Sequence, residues 1–198
     1  MLSTMLTFFA TQADRLILGK LVSMTTVGVY SIALMFSRLP YEIGARLCQI
    51  VLFPALAEVA REDRAGMRAK FLKSRDAVLA ICQFGFVGVI VGSPWFFELL
   101  YDERYRAAAT FAPLLAGTIW FSVLWASAYP ALLAIGNARM IAASNFANLV
   151  ITVAGCIAGY KIAGITGFIV GMGAGNAAGH AVVAWALVRS ELSTIVQD

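Results

Sequence analysis

The architecture is decided by the stretch at residues 13–59, which reads ADRLILGKLVSMTTVGVYSIALMFSRLPYEIGARLCQIVLFPALAEV. Its apolar runs are typical of membrane helices, yet they carry five charged side chains: Asp14, Arg15, Arg38, Glu42 and Arg46. A charge at bilayer depth is costly, and it normally faces a protein interior or a water-filled cavity. Five charges so close together therefore predict a polar path through a membrane protein.

The composition of the whole chain indicates the same class of protein. Its 198 residues are 61% hydrophobic and only 13% charged, with a mean hydropathy of +0.82. Soluble domains carry about 25% charged residues, so we expect an all-α integral membrane protein. The formal net charge of +4 does not indicate nucleic-acid binding, because the basic residues cluster in one short loop.

Hydropathy divides the chain into about six transmembrane helices, since one span needs about 20 mostly apolar residues. The predicted spans, which together form one six-helix lobe over residues 1–198, are 2–21, 27–57, 77–101, 110–135, 140–160 and 165–188. Pro40 should kink the long second span, and residues 161–164 should form a tight turn. The apolar run at 1–13 has no basic leader and continues past Asp14, so we expect no signal peptide. We interpret the start of the chain as lying within a helix, as in a fragment or an alternative start.

A basic loop orients these spans. Residues 58–76 contain six arginines and lysines, and loops rich in these residues stay in the cytoplasm. An even number of spans then places both chain ends in the cytoplasm as well. The loop itself is predicted to be a solvated charged segment that touches anionic lipid head groups.

Three charges of the second span recur at every fourth residue. Arg38, Glu42 and Arg46 should therefore share one helix face. A cationic stripe of this kind could line a cavity, with Glu42 between the two guanidinium groups, whose planar donors suit phosphate oxygens. A lipid-linked pyrophosphate head group would be a natural ligand. The alternatives are a structural ladder of ion pairs, or arginines that reach to the membrane surface.

The pair Asp14-Arg15 allows two interpretations as well. The two residues could belong to the same polar path, although neighbours on a helix point about 100° apart and cannot both face one cavity squarely. Alternatively, they could form a salt bridge between helices that fixes the register of the first span.

Small and polar residues of the last two spans predict helix contacts. A stripe of glycines at i+4 spacing extends the small-xxx-small motif of closely packed membrane helices. The stripe consists of Gly167, Gly171, Gly175 and Gly179. The alternative is that these glycines form a hinge. Asn145 and Asn148 could line a cavity or join two helices. His180 could relay protons or pack through a hydrogen bond. The three cysteines are interpreted as packing thiols: Cys48, Cys82 and Cys156.

Catalytic chemistry finds no support in the sequence. The single histidine has no nucleophile and acid near it in the chain. Phosphate-binding loops, HExxH and paired carboxylate motifs are absent. We therefore expect a protein that is not an enzyme and that needs neither a cofactor nor a metal.

Several motifs in the first 60 residues resemble those of a known family. QADRLILGKLVSMTTVGVYSIALMFSRLP and the later VLFPALAEV are similar to the polysaccharide biosynthesis/transport family. These are the O-antigen and exopolysaccharide repeat-unit flippases of the multidrug/oligosaccharidyl-lipid/polysaccharide exporter superfamily. The pattern D-R-x-x-[IL]-G corresponds to residues 14–19, G-x-Y-[ST]-x-A to residues 28–33, and F-P-A to residues 53–55.

The resemblance implies an architecture and a substrate. Such exporters have two six-helix lobes around a V-shaped cavity, and this chain resembles the second lobe, so a separate N-terminal six-helix lobe is the expected partner. The substrate would be an undecaprenyl-pyrophosphate-linked oligosaccharide, moved between the leaflets of the bacterial inner membrane for O-antigen, capsule or exopolysaccharide synthesis. Two alternatives are a cation-coupled multidrug antiporter, which would favour unpaired acidic residues, and a membrane assembly subunit without transport activity.

Overall fold

The computed structural model describes residues 14–47, 49–50, 64–134 and 138–196. A short helix at 14–21, α1, leads into α2 (Met24–Leu47) and α3 (Arg64–Leu100). A single 3₁₀ turn at Glu103–Tyr105 connects α3 to α4 (Arg106–Ala134), and α5 (Ala138–Val196) completes the described chain. No strand occurs within these ranges. The expectation of an all-α fold is confirmed.

Within the described ranges, three helical segments are long and apolar enough to cross a membrane. They are Arg75–Leu100, Glu103–Tyr129 and Arg139–Arg189. The third has 51 residues, which at 1.5 Å per residue is about 77 Å, more than twice the thickness of the hydrocarbon core. The integral membrane class is confirmed, whereas the number of six spans stays a prediction.

The long helix α5 reverses direction in its middle. Ala163 and Gly164 leave the helical conformation, with φ/ψ of −136°/24° and 60°/−139°. A positive φ of this kind is readily adopted by glycine, which has no Cβ. The reversal lies in the predicted turn at 161–164 and divides α5 into a first arm, 138–162, and a second arm, 165–196.

The two arms of α5 pack against each other at backbone distance. A Cβ built on Gly155 would lie 2.8 Å from the carbonyl oxygen of Gly171, and one on Gly167 would overlap the carbonyl group of Gly159. A Cβ on Gly179 would lie 3.1 Å from the Cβ of Asn148. The arms are therefore antiparallel. Small residues permit this close approach of helices in a membrane.

Helix α3 begins earlier than its apolar segment. Residues 64–76, part of the predicted basic loop 58–76, continue α3 as regular helix. This segment is rich in alanine, arginine, lysine, leucine and methionine, all good helix formers, so charge did not indicate a loop here. Residues 58–63 lie outside the described ranges.

Helix α2 continues through its proline. Pro40 is buried within Met24–Leu47, and a Cβ on Gly85 of α3 would lie 3.1 Å from the Cβ of Pro40. One turn on, Gly44 packs against Cys82. These two contacts show that α2 and α3 are antiparallel. Most of the predicted second span beyond Leu47, including Cys48, lies outside the described ranges.

Three connections lie at one end of the bundle. The hydroxyl of Tyr160 donates a hydrogen bond of 3.1 Å to the carbonyl oxygen of Leu21, so the break between α1 and α2 lies beside the reversal of α5. Because α2 and α3 are antiparallel, Tyr101 at the end of α3 is level with the start of α2. We call this end, with residues 22–23, 101–105 and 163–164, the hairpin end. Arg75 and Arg139 lie towards the opposite end.

Candidate cavity between the helices

A cavity of about 250 Å³ lies between α1, α2, α4 and both arms of α5. No described side chain of α3 lines its wall. The apolar part of the wall consists of Leu34, Tyr41, Ile119, Trp125 and Met172. The polar part consists of Asp14, Arg38, Ser122, Asn145, Asn148, Thr152 and Asn176. Ligand sites in proteins commonly combine an apolar wall with a few convergent polar groups.

Asp14 is a buried acidic residue of this wall. Its side chain is 8% exposed, and its Oδ2 accepts a hydrogen bond of 3.1 Å from the hydroxyl of Tyr30. The same hydroxyl lies 3.6 Å from the sulfur of Met172, on the second arm of α5. Oδ1 of Asp14 has no partner among the described residues. One carboxyl oxygen is therefore left for a ligand.

Arg38 forms a basic point of the wall, on α2. It is half-buried, and it lies one turn from Leu34 and from Tyr41, which line the cavity with it. Its guanidinium makes no ion pair or hydrogen bond within the described part of the chain. A guanidinium presents five N–H donors in a planar fork. These donors are available to an anionic ligand.

A chain of amide hydrogen bonds joins three helical segments across the cavity. Thr152 Oγ1 donates to Asn148 Oδ1 at 3.4 Å, and Asn148 Nδ2 donates to Asn176 Oδ1 at 3.1 Å. Asn176 Nδ2 then donates to the carbonyl oxygen of Thr118 on α4 at 3.4 Å. Both alternatives for Asn148 are thus realised, because its side chain lines the cavity and also joins two helices.

Asn145 lies three residues before Asn148 on the first arm, and it differs from Asn148 in its hydrogen bonding. It lines the cavity and is half-buried, but its amide has no hydrogen-bond partner among the described residues. Of the two alternatives for Asn145, the structure shows the cavity-lining one.

Trp125 holds a fixed orientation beside Asn145. Its indole Nε1 donates to Ser144 Oγ at 3.2 Å, and Ser144, which is fully buried, donates to the carbonyl oxygen of Ile141 at 2.9 Å. The ring also contacts Tyr129, with 5.2 Å between centroids. Since its N–H is satisfied, the indole presents carbon surface to the cavity.

The remaining charged residues of the predicted site lie elsewhere. Glu42 and Arg46 are exposed and Arg15 is half-buried, and none of the three lines the cavity. Steps of four residues advance 400° around a helix, so Arg46 lies about 80° from Arg38. The stripe therefore rotates away from the cavity between Arg38 and Arg46. No ion pair joins its members within the described ranges, so the ladder alternative is not seen there.

The predicted glycines and two of the cysteines serve packing in the described structure. Gly175 and Gly179 contact Asn148 and Thr152, and Gly167 and Gly171 contact the glycines of the first arm. Cys82 and Cys156 are buried free thiols. His180 does not line the cavity, and its buried Nδ1 has no partner among the described residues.

Sequence reasoning did not identify several residues of the cavity wall. Trp125, Thr152 and Asn176 line it, yet none belongs to a recognisable motif. The bond between Asn148 and Asn176 spans 28 positions, and no local spacing predicts such a pair. The one available signal was that polar side chains within apolar spans commonly face a protein interior.

Comparison with known proteins places these helices in context. Residues 1–110 match a family model described as "Polysaccharide biosynthesis protein". The chain is also similar to the amylovoran biosynthesis protein AmsL of Erwinia amylovora, with 27% identity over 105 residues. That alignment covers 53% of this chain and 27% of the relative, so the matched part spans only about a quarter of that protein. No solved structure matches the chain significantly.

Proposed function

This membrane protein belongs to a family of polysaccharide biosynthesis proteins, and we propose that it forms part of an exporter of lipid-linked oligosaccharides. Its substrate is an undecaprenyl-pyrophosphate-linked repeat unit of O-antigen, capsule or exopolysaccharide. The protein moves this molecule from the inner to the outer leaflet of the bacterial inner membrane. The cavity opens to one side at a time, as in alternating access. Under this proposal the protein itself catalyses no reaction on the sugar.

One observation carries this proposal: the guanidinium of Arg38 lines a cavity between apolar helices and has no protein partner among the described residues. A pyrophosphate crosses a hydrocarbon core only if its charge is balanced and its oxygens are hydrogen-bonded. Arginine offers a planar fork of donors for such oxygens. Membership of a polysaccharide biosynthesis family supports a saccharide-bearing molecule as the substrate.

The size of the cavity favours a partner. Its volume of about 250 Å³ is below the roughly 300–1,000 Å³ of pockets for drug-sized ligands, whereas a lipid-linked oligosaccharide is larger than a drug. We therefore propose that these helices form one wall of a wider cavity, and that an N-terminal six-helix lobe and membrane lipids form the rest.

Arg38→Gln tests the proposal, with Arg46→Gln as the matched control. Both substitutions remove one positive charge from α2, but only Arg38 lines the cavity. In cells that depend on this protein, Arg38→Gln should lower surface polysaccharide at least about tenfold, the effect of losing charge-assisted bonds worth roughly 1.5–3 kcal/mol. Arg46→Gln should leave it within about twofold.

The fate of the lipid-linked intermediate separates export from other roles. Under the proposal it accumulates on the cytoplasmic leaflet in the Arg38→Gln strain, as measured by extraction and mass spectrometry. Depletion of the intermediate would instead indicate an enzyme that makes it. Normal surface polysaccharide with normal membrane levels of the Arg38→Gln protein would contradict the proposal.

A second candidate function is supported by Asp14. Its Oδ1 is buried at the cavity without a partner in the described ranges, which suits a cation and hence a cation-coupled drug antiporter. Active efflux of ethidium by the wild type that Asp14→Asn abolishes, with surface polysaccharide unchanged, would favour this candidate over export.

A further inference from the structure

We propose that Asn145 and Trp125 form a subsite for an uncharged saccharide ring, at the opposite end of the cavity wall from the carboxyl group of Asp14. The inference rests on the proposed function, because a transported oligosaccharide is what would bring such a ring into the cavity. It goes further by assigning the neutral part of the substrate to one end of the cavity wall.

The amide of Asn145 supplies the polar half of the subsite. Sugar hydroxyls both donate and accept hydrogen bonds, and a side-chain amide does the same through its NH₂ and carbonyl groups. The Asn145 amide is half-buried in the wall and bonds to no described residue. The neighbouring amides of Asn148 and Asn176 bond to each other. Asn145 is therefore the asparagine of the wall with its whole hydrogen-bonding capacity available.

The indole of Trp125 supplies the apolar half. A pyranose ring has faces of C–H groups, and these faces pack against the carbon surface of an aromatic ring. The N–H of Trp125 is already used by Ser144, so the ring has carbon surface to offer and a fixed orientation. Groups held in the binding geometry lose little conformational entropy when the ligand arrives.

Trp125 and Asn145 lie together because Ser144, the hydrogen-bond partner of the indole, is the residue before Asn145. The amide of Asn145 can then bond to hydroxyl groups at the edge of one sugar ring while the indole of Trp125 packs against the face of the same ring. The amide chain from Thr152 to Thr118 holds the first arm, the second arm and α4 in register. These groups position the subsite and need not touch the sugar.

The acidic group lies at the other end of the wall. Tyr30 links Asp14 to Met172, which follows Gly171, and Gly171 packs against Gly155 of the first arm. Asn145 lies ten residues from Gly155, which is about 15 Å along a helix. This separation keeps an uncharged ring at the Asn145 end clear of the carboxyl group of Asp14.

The test compares two probes on the purified full chain in detergent. Neutral glucose and N-acetylglucosamine are followed by saturation-transfer-difference NMR, and inorganic pyrophosphate by ³¹P line broadening. Asn145→Leu and Trp125→Leu should weaken sugar binding about threefold to tenfold, the range expected for one lost contact. Pyrophosphate binding should stay within about twofold. Arg38→Gln should show the reverse pattern.

Two matched controls isolate the subsite. Trp185→Leu removes an indole that is 53% exposed and lies outside the cavity wall, so sugar binding should remain unchanged. Trp125→Phe keeps an aromatic face but loses the bond to Ser144, and it should retain more sugar affinity than Trp125→Leu. Unchanged pyrophosphate binding shows that a variant is folded.

The outcomes separate this inference from the proposed function. No sugar binding by the wild type, or equal binding by the Asn145→Leu and Trp125→Leu proteins, would overturn the subsite while leaving export of a pyrophosphate lipid intact. Sugar binding that depends on Asn145 and Trp125, without any pyrophosphate binding, would support the subsite and contradict the pyrophosphate-linked substrate.

Discussion

At the scale of the residue, the hydrogen bond from Tyr30 to Asp14 stabilises the cavity wall. Tyr30 is fully buried, and its hydroxyl provides the one hydrogen bond that Asp14 receives from a described side chain. Tyr30→Phe leaves both carboxyl oxygens of Asp14 without a hydrogen bond from the described residues. We expect a loss of about 1–3 kcal/mol in the free energy of unfolding, the cost of an unpaired buried polar group. Thermal unfolding in detergent measures it.

Tyr160→Phe is the matched control, since it also removes one phenolic hydroxyl. That hydroxyl bonds to the carbonyl oxygen of Leu21 in an exposed position, where water can replace it. Its loss should cost within about 0.5 kcal/mol. Equal losses of stability in the two variants would contradict the importance assigned to the Asp14 contact.

Individual residues of the site were predictable only where a charge interrupts an apolar run. Asp14 and Arg38 were identified by that rule, and both line the cavity. The rule also selected Glu42 and Arg46, which are exposed, because it does not measure the 40° drift of each four-residue step. The same rule could not identify Trp125, because an aromatic residue in an apolar span cannot be distinguished by sequence from other packing residues.

At the scale of the element, the glycine contacts of α5 bring its two arms together. A Cβ on Gly171 would overlap the backbone of Gly155, and backbone atoms cannot turn aside as a flexible side chain does. We expect Gly171→Ala to lower the free energy of unfolding by about 1–3 kcal/mol through overpacking. The change would appear as a lower midpoint of thermal unfolding in detergent.

Gly92→Ala provides the control for this substitution. A Cβ at Gly92 in α3 meets nothing within 4 Å, so the higher helix propensity of alanine should leave stability unchanged or raise it by up to about 1 kcal/mol. If both substitutions changed stability equally, the close contact between the arms would not be the cause.

The sequence predicted elements best where one physical signal dominates. The reversal at Gly164 was anticipated as a turn at 161–164. The candidate span Arg75–Leu100 overlaps the predicted span 77–101, while the number and the bounds of the spans stay predictions. The start of α3 at Arg64 was missed, because hydropathy marks where a membrane span ends and not where a helix ends. The partners of the glycine stripe depend on the opposite arm, which i+4 spacing does not reveal.

At the scale of the whole molecule, composition alone was sufficient to predict the membrane class. The first 60 residues were sufficient to indicate the family. The full set of residues that line the cavity could not be predicted, since the cavity forms where four separate helices bring single polar residues together. Asp14 and Asn176, both in its wall, are separated by most of the chain. Spacing along one helix specifies a face, whereas a cavity requires the relative rotation and height of several helices.

The alternating arrangement of the helices gives a last prediction, on orientation. Arg139 and Lys161 are both exposed, at opposite ends of the first arm of α5. Their separation of 22 residues corresponds to about 33 Å, close to the thickness of a hydrocarbon core. We propose that Lys161, at the hairpin end, faces the periplasm, and that Arg139 faces the cytoplasm with the basic residues of 58–76, as the distribution of arginine and lysine favours.

Cysteine labelling measures this orientation directly. A membrane-impermeant maleimide should modify the Lys161→Cys protein in intact cells, but the Arg139→Cys protein only after the membrane is permeabilised. The wild type, with Cys48, Cys82 and Cys156, sets the background. The opposite pattern would place the basic segment outside the cell and contradict the direction of export. Labelling of both variants in intact cells would place both residues on one side, so the first arm would not cross the membrane at all.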